Sequence, residues 1–200
     1  MQKNITTQRL FTALSDKELI LHYQPILEAD SGELSGIESL VRWQSPDLGL
    51  VTAKHLVPFL LQDESLSAAL DGWTMREALI QAAMWKRQGF RFGSMAVNVL
   101  SWYRGRGFVT MVAEALATSG ADPRLLALEA HNTMLSAGPL EVLLHTTHAL
   151  AKQGITLAID HFSWQPVDLD KVMQIPVHFV KSDAKTLDDW QEADKAKAKK

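Results

Sequence analysis

Through its second half the chain alternates short β-rich runs with longer stretches of helical periodicity, and this order constrains the fold more than any other feature of its 200 residues. Residues 94–100, 125–130, 155–160 and 177–181 read as strands, with helices expected over 108–118 and 140–152. Strands separated by helices pair in parallel, and such crossovers are nearly always right-handed. An α/β barrel or a doubly wound sheet is therefore expected. Upstream, Leu66, Leu70, Trp73, Ala78, Leu79, Ala82 and Trp85 recur at helical spacing over 66–87, and Gly89 supplies a C-terminal stop. Residues 19–27 and 36–43 read as strands around Asp30-Ser31-Gly32, good turn chemistry for a hairpin, and Leu10, Phe11, Ala13 and Leu14 mark a short leading helix.

Composition narrows the function. At 46% hydrophobic the chain is globular, and its length suits one domain. Twenty Lys+Arg against 23 Asp+Glu give a net charge of −3, which offers no electrostatic case for a nucleic-acid partner. No apolar stretch approaches the ~20 residues of a membrane span, and the polar start lacks the order of a secretory signal. A cytoplasmic protein with no membrane partner is expected. The absence of cysteine excludes disulfides, thiolate metal sites and cysteine nucleophiles together.

Four strands close on a residue that a buried strand would otherwise avoid. Asn98 follows Val97, Glu129 follows Leu128, Asp160 follows Ile159 and Lys181 follows Val180. In parallel α/β folds the C-terminal strand ends form the rim where ligands bind, so these groups converge on one site, and Glu38 in the hairpin joins them. Carboxylates, an amide and a lysine make an oxygen-rich site suited to Mg²⁺ or Mn²⁺ rather than zinc. The plainer alternative is that each residue only caps the helix that follows.

The order and wording of these segments resemble the EAL domain family, the phosphodiesterases and receptors of cyclic di-GMP, which fold as a modified TIM barrel. Tyr23-Gln24-Pro25-Ile26 is similar to the family's YQPI strand, and Glu38-Ser39-Leu40-Val41-Arg42-Trp43 to its E-A-L-x-R-W. Val97-Asn98 resembles V-N-x-S, Leu128-Glu129 L-E-x-T-E, Ile159-Asp160-His161-Phe162 D-D-F-G, and Lys181-Ser182-Asp183 K-x-D. The resemblance implies that Glu38, Asn98, Glu129 and Asp160 are metal ligands and that Lys181 stands near the attacking water. It further implies that Arg42 pairs with a phosphate of the dinucleotide, a role its fork of donors suits, and that Gln24 and Leu40 line the nucleotide groove. The implied chemistry is in-line attack of a metal-activated water on a phosphodiester.

The departures from the family pattern are equally specific. His161 stands where the family has its second Asp, and a neutral imidazole brings no charge to balance a dication. Ser163-Trp164-Gln165 replaces a Gly-Thr-Gly loop, His131-Asn132 replaces a T-E pair, and Leu61 replaces a Glu. Residues 1–184 are expected to form the EAL-like domain and 185–200 a polar charged tail unable to supply two more buried strands. About six strands can then be counted, two short of the eight that close a TIM barrel, so the last βα units are missing. Unpaired edges would call for a second copy or a protein partner.

The resulting expectation is a catalytically inactive EAL-like signalling module in bacterial cyclic di-GMP pathways, acting through cyclic di-GMP or a protein partner, with at most weak Mg²⁺ or Mn²⁺ binding. The alternative is a divergent phosphodiesterase giving linear pGpG, in which Lys181 and Glu38 are catalytic, and a third reading is an interaction protein without a ligand. Among the remaining residues, His145 and His148 read as surface histidines, and His131 shares a strand face with Glu129. Trp43, Trp73 and Trp85 suit packing positions, whereas Trp102 and Trp164 fall in rim loops, where stacking on a guanine base and packing in the core or an interface are both open.

Overall fold

The computed structural model describes residues 5–162 and 170–182 of the chain. Helix α1 (Thr7–Ser15) starts where the Thr6 hydroxyl accepts from the Arg9 amide, and it leads into an antiparallel hairpin of β1 (Leu19–Leu27) and β2 (Leu34–Ser45). Then follow β3 (Gly49–Thr52), α2 (Ala53–Leu60) and α3 (Glu64–Arg87), with Asp63 as the α3 N-cap, a contact worth about 1 kcal/mol. The regular part comprises β4 (Ser94–Val99), α4 (Arg106–Ser119), β5 (Leu126–His131), α5 (Leu140–Ala151), β6 (Thr156–Asp160) and β7 (Phe179–Val180).

The sheet runs in the order β1-β2-β4-β5-β6-β7, parallel from β2 onward, with β3 paired to β2. Six strands lie on this path, as the sequence pattern anticipates, and β3 and α2 are additions. Both are short, and α2 carries Pro58 inside it, so neither shows enough periods to be read from sequence. No helix among the described residues is long and apolar enough to cross a membrane.

Burial follows from the parallel pairing. Leu126, Leu128, Ala130, Val97, Val99, Leu157 and Ile159 pack against α3 to α5 in one core with Met75, Leu79, Phe108 and Val112. The alternating positions Ala96, Ala127 and Ala158 are equally buried on the opposite face, as expected for strands covered on both sides. A second core gathers α1, the hairpin and α2 around Trp43. There the Glu18 carboxylate accepts from Arg9 Nη2 at 2.6 Å and from Trp43 Nε1 at 2.8 Å, tying α1 to the sheet.

Of the two readings of Trp102, core packing is the one observed: it is fully buried and unavailable to a base, because a single 3-10 turn over Trp102–Arg104 swings its ring inward against the main core. Trp43 is buried and Trp73 and Trp85 are half-buried packing residues, as expected. The readings made for Ser163, Trp164, Gln165, Asp183 and the tail over 185–200 lie outside the described residues.

Candidate functional site

Parallel register brings the polar strand ends together. Asn98 pairs with Glu129 and His131 with Asp160 across neighbouring strands, while Gln24 faces Glu38 across the hairpin. Asn98 Nδ2 donates to Glu38 Oε1 at 2.8 Å. Lys181, just past β7, is delivered by two backbone bonds: its amide donates to Ile159 O at 2.8 Å and its carbonyl accepts from Phe162 N at 2.9 Å. Its Nζ then lies 2.6 Å from each carboxylate oxygen of Glu129 and 3.4 Å from Glu38 Oε2. Only Glu129 Oε2 accepts with hydrogen-bond geometry; Oε1 is buried and accepts none.

Burial raises the Glu129 carboxyl above the ordinary carboxylate range, with Glu38 and Asp160 adding to the rise and Lys181 opposing it. Burial alone would lower the Lys181 ammonium, but the bond to Glu129 and the fields of Glu129, Glu38 and Asp160 outweigh it and raise the group. The ammonium is therefore held charged among three carboxylates.

At the β6 exit His161 adopts a left-handed backbone, φ 53°, a conformation uncommon for residues other than Gly though less so for Asn, Asp and His. Its amide donates to Asp160 Oδ1 at 2.8 Å and its Nδ1 lies 2.9 Å from Asp160 Oδ2, so both oxygens of Asp160 face His161. The His161 ring stacks on His131, centroids 5.0 Å apart, and His131 Nδ1 contacts Thr133 Oγ1 at 2.9 Å. His131, exposed, thus sits at the rim beside Asp160 and His161.

Beside these groups opens a cleft of about 490 Å³. Glu38, Asn98, Glu129, Asp160 and His161 form its polar end, and Leu40, Val41, Leu56, Val57, Leu60 and Leu61 give it an aliphatic wall. Gln24 and Arg42 do not line it; Gln24 is exposed, and Arg42 Nη1 donates to Val41 O at 2.8 Å. Sequence reasoning missed Asp71 and Thr74, which α3 places in the cleft while both remain almost fully buried. The available signal was an acidic residue in the middle of an apolar helical stripe. His145 and His148 are exposed on α5, away from the cleft.

The oxygen donors have the right chemistry for Mg²⁺ or Mn²⁺, although both oxygens of Glu129 already lie 2.6 Å from the Lys181 ammonium. Their arrangement does not match. The Lys181 ammonium already bridges Glu129 and Glu38, His161 takes up both oxygens of Asp160, and no three His, Asp or Glu side chains among the described residues are grouped to hold a metal.

A family model described as the EAL domain matches residues 7–199. The bifunctional diguanylate cyclase/cyclic di-GMP phosphodiesterase MucR of Pseudomonas aeruginosa is 30% identical over 174 residues, 86% of this chain and 25% of that protein. The structure of the PaMucR phosphodiesterase in its c-di-GMP complex superposes with a TM-score of 0.77 at 29% identity, covering 88% of this chain and 71% of that one. The FimX EAL domain shares the fold, with a TM-score of 0.80 at 18% identity over 92% of this chain and 73% of its own. The chain spans about a quarter of the length of the curated relatives it matches.

Proposed function

The chain belongs to the EAL domain family, and from that membership we propose that it is a catalytically inactive module of bacterial cyclic di-GMP signalling, working by holding the dinucleotide or a protein partner. The observation that carries this reading is the pairing of the acidic groups with the chain's own donors. Lys181 spans Glu129 and Glu38, and His161 spans both oxygens of Asp160. Cations needed to activate a water would have to break these pairings first. The aliphatic cleft needs no such change to receive an apolar face of a ligand. The chain's relatives, which include a cyclic di-GMP phosphodiesterase and a phosphodiesterase in complex with c-di-GMP, support the dinucleotide as the ligand.

The second reading, a divergent phosphodiesterase, is favoured by the oxygen donors Glu38, Asn98, Glu129 and Asp160, which gather at one end of a single cleft with Lys181 beside them. On either reading Glu38, Asn98, Glu129, Asp160 and Lys181 form the polar end of the site, with Leu40 on its wall. For the protein partner or second copy, support comes from the far end of the described sheet, where Phe179 and Met173 are 41% and 81% exposed. Light scattering over a tenfold dilution reads that association, and a constant 22.2 kDa species would exclude a second copy.

The test is a calorimetric titration with cyclic di-GMP, with and without Mg²⁺, alongside chromatography of the incubated nucleotide. Saturable binding in both buffers, with no more linear product than a Glu38→Ala control, is the expected result. Turnover that needs Mg²⁺ or Mn²⁺ and vanishes in Glu38→Ala would establish the phosphodiesterase instead. No binding in either buffer would leave the protein partner.

A further inference from the structure

We propose that Asp71 is a positioning residue that fixes the exit of β4 and thereby holds Asn98 against Glu38. The inference rests on the reading that Glu38 and Asn98 belong to the working site, and extends it to a nearly buried carboxylate on the wall of the same cleft.

Asp71 lies in the middle of α3 with 2% of its surface exposed, a position where an aliphatic residue would serve the packing of helix on sheet at no desolvation cost. One of its oxygens, Oδ2, accepts from Leu100 N at 2.9 Å, Ser101 N at 2.8 Å and Ser101 Oγ at 2.6 Å. All three donors belong to the two residues that follow β4. Such bonds to an ionised acceptor are short and strong, and here they are shielded from water, since Ser101 is fully buried.

The same turn is fastened to α3 a second time, because Arg104 Nη1 donates to Glu64 O at 2.8 Å. Between these two ties Trp102 is driven into the core. The strand end therefore has one path available, and that path places Asn98 where its Nδ2 reaches Glu38 Oε1 at 2.8 Å.

The experiment uses the whole chain and reads the side-chain amide resonances of Asn98 by ¹⁵N–¹H correlation, identified by their loss in Asn98→Ala. Asp71→Ala is expected to move both resonances, whereas Leu79→Val, a core change on the same helix, lowers the melting temperature and leaves them in place. If Asp71→Ala does not fold, Asp71→Asn keeps the shape and one carbonyl acceptor, and a smaller shift in the same direction is expected. Asn98 resonances that coincide with wild type in the folded Asp71 variant, or that move as far in Leu79→Val, would overturn the proposal. Cyclic di-GMP affinity, where the wild type binds, should fall about tenfold in the Asp71 variant. Absence of binding by the wild type would count against the ligand reading alone, because the resonance measurement needs no ligand.

Discussion

Lys181 Nζ stands 2.6 Å from both carboxylate oxygens of Glu129, so a side chain carried past the last described strand neutralises a charge buried in the middle of the sheet. Glu129 is fully buried whereas Lys181 keeps 27% of its side chain exposed, which makes the carboxylate the partner that suffers when the pair is broken. Lys181→Met should destabilise the fold by about 3 kcal/mol at neutral pH, because it leaves an uncompensated buried charge. Glu129→Gln combined with Lys181→Met should recover most of the loss. Urea unfolding of the wild type and of the single and double variants measures both, and a Lys181→Met variant as stable as the wild type would show that the pair contributes nothing.

Glu129 was legible in the sequence because a carboxylate at the end of an otherwise apolar run has few reasons to be there, and parallel register does the rest. Asn98, Asp160 and Lys181 were legible for the same reason. Asp71 was not, since one acidic residue in a helix reads as a solvated position until its tertiary partners, about thirty residues on in the chain, are known. Trp102 was ambiguous: it follows a strand, as rim residues do, and only the turn of three residues that carries it inward decides for packing. The pairing of Asp160 with His161 depends on a left-handed backbone at a histidine, for which composition and periodicity carry no signal.

Asp71 also gives the fold a pH dependence of unusual sign. Burial pushes its carboxyl from the ordinary 3.8 up to about 6, against the pull of the Ser101 hydroxyl, the Leu100 and Ser101 amides and Arg104. The folded state therefore binds a proton more tightly than the unfolded state between about pH 4 and 6. Its contribution is most favourable below that window, declines as pH rises through it by on the order of 3 kcal/mol, and is flat above. Asp71→Asn cannot titrate. The stability difference between wild type and this variant, from urea unfolding at pH 4.5 and 7, should shift toward the variant at the higher pH, and parallel curves would refute the assignment.

Ser39 replaces the alanine of the family motif without an unmet polar group. It is almost fully buried, yet its Oγ donates to Ala96 O at 2.9 Å across the parallel β2–β4 pair. Ser39→Ala removes one hydrogen bond and also one buried hydroxyl, so stability should change by no more than about 1 kcal/mol. A thermal melt showing a much larger loss would mean that the hydroxyl holds the two strands in register.

Arg42 tests where the ligand sits. Half-buried on β2, it shares a strand face with Glu38 and Leu40 by the two-residue period, but its Nη1 is engaged by Val41 O at 2.8 Å and it does not line the cleft. To reach a phosphate the guanidinium must either release that carbonyl or use Nη2 and Nε alone, and either course limits what the new bonds contribute. Arg42→Ala should therefore weaken cyclic di-GMP binding toward the lower end of the roughly 1.5–3 kcal/mol typical of hydrogen bonds to a charged group. Arg42→Lys should restore only part of it, since an ammonium keeps the charge but loses the planar fork. Calorimetry on the three proteins decides the matter: equal affinities would place the dinucleotide away from β2, and full restoration by lysine would reduce the role of Arg42 to charge alone.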